Sequence, residues 1–408
     1  MLPIQKYIEH FTEVWEKSPN HLPAFSREYS NAEQLIRENN YNKFQLNLKK
    51  LQSHKAAFKI RNNKENPFFP LFKNFLETVF DFEKRQLKII LSEQFKNVSK
   101  DFFYKARKFG SELEPVNIYQ GMRNVWIMNG IQFMMDVPVE ISPSVFAYSM
   151  IYPYSDNFLD DITIGDVDKK EFSRRFNMRL HGENVEPFNF IEEQLFKLVG
   201  MFEFQFPRNE FSGVYESLYA IQQGQTNSLK LLQSNGLSEK GIQDICFEKG
   251  GASVLADGYL VAGKLSQEQE QALFGYGIYL QLLDDIQDVK EDLKAETKTM
   301  FSFLNQNDLG GYVNQSIHFG RYVLERMKCF SGVQNIEFLD LMNRSIETMI
   351  IESVGLNHTR YSVDYLKEIE KFSPLHFNFI RNKRSESKSQ RFSIFQKYFD
   401  REKSEAVK

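Results

Sequence analysis

The sequence predicts an all-α fold. Three observations carry that prediction. Apolar residues recur at spacings of three and four through almost every non-polar stretch. No alternating apolar-polar run is bounded by hairpin dipeptides. Proline is scarce, with 12 in 408 residues, and falls mostly in connections such as Pro67, Pro70, Pro138, Pro143, Pro187 and Pro207. Long antiparallel helices are the economical arrangement for such a chain.

The elements follow in order. Ile4, Tyr7, Ile8, Phe11, Val14 and Trp15 mark one face of a first helix. Residues 42–66 are polar and basic and read as including a loop. Phe72, Phe75, Leu76, Val79 and Phe80 set the face of a helix over 68–91. Further apolar helices are expected near 141–160, 188–203, 211–233, 240–262, 266–292, 309–331 and 335–355. The segment 381–391 holds five basic residues and one acid and reads as a mobile tail. The expected organisation is an N-terminal helical extension over 1–110, a main helical domain over 111–380 and a basic tail over 381–408.

Composition narrows the function. A net charge of -3 argues against a general nucleic-acid binder. Cys246 and Cys329 are far apart and form no metal or redox motif, as two thiols in a reducing compartment would. No signal peptide or transmembrane stretch is recognisable, so a cytoplasmic location is expected. The 39 Phe and 18 Tyr exceed what a core of this size needs.

Two helices switch abruptly from apolar to acidic. In "LLDDIQDVKED" Asp284, Asp285, Asp288, Glu291 and Asp292 place five acids in nine residues. Asp284, Asp288 and Asp292 lie at i, i+4 and i+8, so one helix face stacks three like charges, which repel. In "YSDNFLDD", Asp156 and Asp160 repeat the i, i+4 spacing, with Asn157 and Asp161 beside them. Each patch alone suits a solvated face. Two such patches, 128 residues apart on separate apolar helices, form an oxygen-only cage if the helices face each other. Hard cations, above all Mg²⁺, bind through a few carboxylates, water and substrate phosphate. The EF-hand spacing is absent, and His and Cys are missing near both patches, which disfavours zinc. Arg174 and Arg175, Lys249 among glycines, Lys298 and Gln225 are candidates to hold a diphosphate. Each also suits an ordinary surface or capping role, except Lys249, whose surroundings are apolar and glycine-rich.

Together these residues resemble the class I isoprenoid synthases: trans-prenyl diphosphate synthases and bacterial class I terpene synthases. "YLQLLDDIQD" is similar to the second aspartate-rich motif, with Gln281 ahead of the acids. "DNFLD" is similar to the first, with Asn157 in place of its second Asp. "GQTNS" resembles a Gly-Gln element, "KGGAS" a Lys-Thr element with Gly250 for Thr, and Lys298–Thr299 the Lys-Thr pair after the second motif. "NHTRYS" resembles the C-terminal Arg-Tyr pair of terpene synthases, with Arg360 lying 76 residues after Asp284 and Tyr361 following it. The isopentenyl-binding element of the elongating enzymes is reduced to "GMR": Arg123 is kept, and Met122 stands where Lys belongs.

The resemblance implies a bundle of antiparallel helices around a central cavity. It implies an enzyme without a transmembrane segment, with a homodimer as one expected assembly, using about three Mg²⁺ ions held by Asp156, Asp160, Asp161, Asp284, Asp285, Asp288 and Asp292. Lys249, Lys298, Arg174, Arg175, Arg360 and Tyr361 would act on the leaving diphosphate. Arg123, Tyr152, Asn157, Gln225 and Gln281 would contact substrate, Tyr152 being either the chamber floor or core. The loss of the second diphosphate's cations points to a terpene synthase that ionises one prenyl diphosphate. The alternatives are chain elongation with isopentenyl diphosphate and a head-to-head condensation of the squalene or phytoene synthase kind.

Overall fold

A computed structural model describes residues 1–52, 68–160, 163–232, 236–304 and 308–387. The side chains of Gln52, Asp156, Asn157, Asp160, Asp166 and residues 385–387 fall outside that description, as do Asp161 and the tail beyond 387. Among the described residues every regular element is a helix. None is long and apolar enough to cross a membrane.

The helices run α1 (Ile4–Lys17), α2 (Asn31–Gln52), α3 (Phe68–Thr78), α4 (Lys84–Ile90), α5 (Glu93–Phe109), α6 (Pro115–Met134), α7 (Pro143–Asp160), α8 (Asp166–Leu180), α9 (Phe190–Gln205), α10 (Ser212–Ser228), α11 (Glu239–Ala262), α12 (Gln267–Gln287), α13 (Val289–Lys294), α14 (Gly310–Arg326), α15 (Asn335–Leu356), α16 (Val363–Glu370) and α17 (Phe377–Ser387).

The α11–α12 hairpin is the centre. Gly263, at φ 73°, ends α11 by donating its N–H to the Tyr259 carbonyl at 2.7 Å. That left-handed residue is cheap only for glycine. Ser266 and Gln269 then form a capping box that starts α12. Two glycines set how closely the pair packs. A Cβ on Gly250 would lie 2.5 Å from Gln281 Cβ and 2.7 Å from the Gly277 carbonyl oxygen. A Cβ on Gly277 would run into the Gly250 carbonyl oxygen. Around the hairpin, α10 packs on α11, α14 and α15 on α12, and α6 and α7 on α11. Helix α1 lies on the same core: Phe11 is 1% exposed, with the rings of Phe274 and Phe319 6.2 and 6.0 Å away. Burying such a side chain contributes about 1.5–3 kcal/mol.

Several boundaries differ from the periodicity reading. The polar stretch from 42 is helical as far as Gln52, and its remainder lies outside the described residues. Its aromatic residues pack: Phe44 stacks on Phe75 at 4.0 Å. The 68–91 helix is two, because Asp81 adopts φ 63° and Glu83 caps a new start with Gln86. Asp81 holds that turn through ion pairs with Arg27, with Arg37 at 3.2 Å and with Arg344 at 3.8 Å. Helix α6, buried on several sides, shows little amphipathic period and was not read as an element. The basic stretch from 381 begins inside α17, where Arg381 donates to the Gly355 carbonyl at 2.8 Å.

The close approach of α11 and α12 yields a prediction. Gly277→Ala should destabilise the chain by roughly 1–3 kcal/mol, since backbone rather than a flexible side chain opposes the new methyl. Urea unfolding measures it, and an unchanged midpoint would contradict the described crossing.

Candidate functional site

Helix α12 carries the second acidic patch past its own end. Asp288, at φ -100° and ψ 11°, closes α12, and Asp292 starts one turn later in α13. The backbone stays in step across the break: Asp288 N–H donates to Asp284 O at 2.9 Å, and Asp292 N–H to Asp288 O at 2.8 Å. The three carboxylates therefore share a face, as their spacing predicted. Asp284 and Asp288 are exposed, and Asp292 is half-buried.

Their charges are poorly compensated. Burial raises Asp292 to about 6, against a pull from the Thr299 hydroxyl that donates to its Oδ2 at 2.9 Å. Asp288 and Asp284 push it further up, while Lys249 opposes them. Burial also raises Asp288, reinforced by Asp284 and Glu291, with Arg123 and Arg384 working the other way. A row in which Asp288 and Asp292 are pushed up by acidic neighbours suits a divalent cation.

Asp285 does not belong to this row. It is 2% exposed. Its Oδ1 accepts from Gln281 Nε2 at 2.7 Å and its Oδ2 from the Met300 N–H at 3.2 Å. Asp285 and Gln281, expected to bind metal and substrate, are bonded to each other here and tie α12 to the loop after α13. Residues 100° apart on a helix cannot share a face.

Among the expected cations, Lys249 and Arg123 act on the patch. Lys249 sits between two close helix crossings: Gly224 of α10 lies against its Cα, and Gly250 follows it against α12. Gly250 replaces Thr because Gln281 and the Gly277 carbonyl fill the space of a larger residue. Arg123 is exposed on α6, whereas Met122 beside it is 2% exposed and belongs to the core. Gln225 is half-buried one residue after Gly224. Lys298 donates its backbone N–H to Leu231 O at 2.9 Å, and its Nζ lies 5.8 Å from the Phe303 ring centroid. Its neighbour Thr299 is the one that reaches the carboxylates.

The other cations are engaged elsewhere. Arg174 pairs with Glu171 of its own helix at 2.6 Å, and Arg175 with buried Glu192 of α9 at 3.0 Å. Arg360 donates to Leu304 O at 2.6 Å, while its buried Nε has no hydrogen-bond partner among the described residues. Tyr361 is buried, its hydroxyl likewise unpartnered, and burial pushes its phenol well up. Asn357, which the sequence reading passed over, donates to the Ile286 and Gln287 carbonyls at 3.0 and 3.2 Å. It thereby caps the end of α12 just before Asp288. A polar residue ending a long apolar helix was the available signal.

The first acidic patch is carried by the last turn of α7. The side chains of Asp156, Asn157 and Asp160, and all of Asp161, lie outside the described residues. Among the described residues no three His, Cys, Asp or Glu side chains group to hold a metal ion.

Exposure falls in step along three helices leading away from the patch. On α12 it declines from exposed Asp288 and Asp284 through half-buried Leu280 to Tyr276 at 7%. On α11 it declines from half-buried Lys249 and Ser253 to Asp257 at 0%. On α7 half-buried Tyr152 is followed one turn deeper by Tyr148 at 4%. The faces meet, since Tyr152 Oη lies 3.3 Å from Ser253 Oγ and 3.4 Å from Tyr148 Oη. The three faces run from an exposed, charged end, the mouth, to a buried end, and the space between them is the candidate cleft. A separate surface pocket of about 640 Å³, lined by Lys105, Phe109, Phe146, Met201 and Phe204 among others, includes none of these residues.

No family model matches the chain, and no curated protein matches it. Among solved structures it is similar to a geranyltransferase from Legionella pneumophila, at 12% identity and a TM-score of 0.39, covering 66% of this chain and 99% of that one. It is similar to a geranylgeranyl pyrophosphate synthetase from Pyrococcus horikoshii Ot3, at 15% identity and a TM-score of 0.32, covering 71% and 99%. A geranylgeranyl pyrophosphate synthetase from Geoglobus acetivorans follows at 14% identity and a TM-score of 0.34, covering 72% and 98%.

Asp285 makes the site's pH behaviour testable. Burial raises it to about 7 from an ordinary 3.8. The folded chain therefore keeps this proton longer than the unfolded chain as pH rises. The resulting stability is fully present below about 3.8 and is lost as pH climbs through about 7. In metal-free protein, Asp285→Asn should gain on the wild type in thermal midpoint as pH rises from about 4 to about 7. A midpoint difference that stays constant over that range would contradict the assignment.

Proposed function

We propose that this chain ionises the diphosphate of an allylic prenyl diphosphate at the cleft mouth and shelters the resulting carbocation below. The observation that supports it most is the joint descent of α7, α11 and α12 from charged mouth to buried end, with the uncompensated Asp284–Asp288–Asp292 row on its rim. Asp284, Asp288 and Asp292, with Asp156 and Asp160 of the first patch, would hold Mg²⁺. Bound there, Mg²⁺ supplies Lewis-acid activation of the leaving oxygens. The protein's own part is positional. Thr299 fixes Asp292, Asn357 fixes the helix end beneath Asp288, and Lys249 and Arg123 bring positive charge to the place where the leaving group gains negative charge. Half-buried Tyr152 and Leu280 narrow the cleft below, where ring faces and exclusion of water favour a cation.

Two fates of that cation are in view. Met122 is spent in the core, leaving Arg123 alone where an elongating enzyme holds a second diphosphate, and this supports a terpene synthase using one substrate. A second observation favours chain elongation with isopentenyl diphosphate. Lys290, Arg381 and Arg384 gather beside Asp288: Lys290 Nζ donates to Leu356 O at 2.6 Å, Arg381 donates to the adjacent Gly355 O, and Arg384 acts on Asp288. That cluster supplies the charge that α6 lacks.

Purified protein with Mg²⁺ and C10 to C35 prenyl diphosphates, with and without isopentenyl diphosphate, separates the two. Hydrocarbon or alcohol from a single substrate supports the synthase. A longer diphosphate formed only with isopentenyl diphosphate supports elongation. A head-to-head dimer would displace both, and no diphosphate release from any substrate would overturn the proposal. Asp288→Asn should lower diphosphate release by about 100-fold or more. It should leave the metal-free thermal midpoint equal or higher, because it removes one of three repelling charges.

A further inference from the structure

The lower end of the cleft is polar, and its chemistry is unusual for a place expected to hold only hydrocarbon. Lys249, Ser253 and Asp257 follow one another at i, i+4 and i+8 on the cleft face of α11. Asp257 is fully buried. Its Oδ1 accepts from Asn124 Nδ2 at 3.2 Å, and its Oδ2 has no hydrogen-bond partner among the described residues. Asn124 itself is held by α7, its Nδ2 also lying 3.3 Å from Ser149 Oγ. Asp257 lies close enough to Tyr148 and Tyr276, the lowest residues of the other two cleft faces, to act on both phenols.

Among the described residues no cation is found acting on this carboxyl, and burial pushes its proton affinity well up, against the Asn124 hydrogen bond. An unsatisfied buried polar group destabilises the fold, a cost that an apolar residue of similar shape would avoid. A buried water needs two to four polar partners. Asp257 Oδ2 is one, and the Ser253 hydroxyl one turn above and the Tyr148 hydroxyl opposite, which bond to each other and to Tyr152, are two more on these faces.

We propose that Asp257, with Asn124, Ser253 and Tyr148, positions a single water molecule at the bottom of the cleft, and that this water captures the carbocation. The inference rests on the single-substrate reading above. The product is then an alcohol whose hydroxyl lies away from C1. From Lys249 to Asp257 is eight residues of helix, about 12 Å, so the water sits far below the mouth where C1 is ionised. The water oxygen bonds to the cationic carbon. The proton shed by the resulting oxonium passes by way of the Ser253 and Tyr152 hydroxyls to the freed diphosphate, the strongest base within reach. No oxidant or further reactant is required.

The test is turnover in H₂¹⁸O, with products analysed by mass spectrometry per diphosphate released. The wild type should give an alcohol carrying ¹⁸O at a carbon other than C1. Asp257→Leu should cut the alcohol fraction at least tenfold in favour of hydrocarbon, and Asp257→Asn, which still binds water, should restore it. A crystal structure of the wild type should hold an ordered water within hydrogen-bond distance of Asp257 Oδ2, a readout that stands even if Asp257→Leu fails to fold. Diphosphate release with hydrocarbon or an elongated diphosphate as the sole wild-type product would overturn this inference and leave ionisation standing. An unchanged alcohol fraction in Asp257→Leu would overturn it too. An absence of diphosphate release from every prenyl diphosphate would remove the reading beneath it, and the inference with it.

Discussion

The contact on which the rest depends is the crossing of α11 and α12 at Gly250 and Gly277. Two backbones meet there with no side chain between them. That spacing fixes which face of each helix looks into the cleft. On α11 it is the face of Lys249, Ser253 and Asp257; on α12 it is the face of Tyr276, Leu280, Asp284 and Asp288. A second glycine crossing, at Gly224, seats α10 against the same turn of α11. Lys249 is thus carried by backbone held from two sides, which explains how a long flexible side chain can be aimed with little support of its own. Close-packed interiors transmit such placement with small tolerance.

Electrostatics at the mouth run against stability. Asp284 raises the proton affinity of Asp288, and both raise that of Asp292, which carries that load while tied to Thr299. The arginines of α8 are held in other bonds. Arg175 and Arg179 pair with Glu192 and Glu203 of α9, and Arg174 with Glu171. The cations that do bear on the row, Lys249, Arg123 and Arg384, act without an ion pair to it. A surface selected for stability alone would pair these charges. Leaving them apart is consistent with a row that awaits a positively charged ligand.

Depth brings a second conflict. The faces of the candidate cleft pass through aromatic residues, as those of an apolar chamber would, and then reach a buried aspartate with an unmet oxygen among the described residues. Local rules of burial are broken at the mouth by charge and at the bottom by an unsatisfied carboxyl. Both breaks fall on the same two helix faces, where function rather than packing has the better claim on the residues.

The sequence by itself determined the helical class and the face shared by Asp284, Asp288 and Asp292, because 3.6-residue periodicity is a local property of the chain. It also located Lys249 among glycines. What it could not decide was the fate of residues whose roles depend on partners distant in sequence. Asp285 and Gln281 looked like members of a motif, and packing against Met300 turned them into a structural pair. Arg174 and Arg175 looked available, and α9 engaged Arg175. Helix α6 escaped notice because burial on several sides erases the amphipathic period. Asp257 gave no signal at all: an aspartate in a run of small and apolar residues acquires meaning only when Asn124, Tyr148 and Tyr276 close around it. Spacing along one helix is written in the chain, whereas the choice of partner across helices is made by tertiary packing.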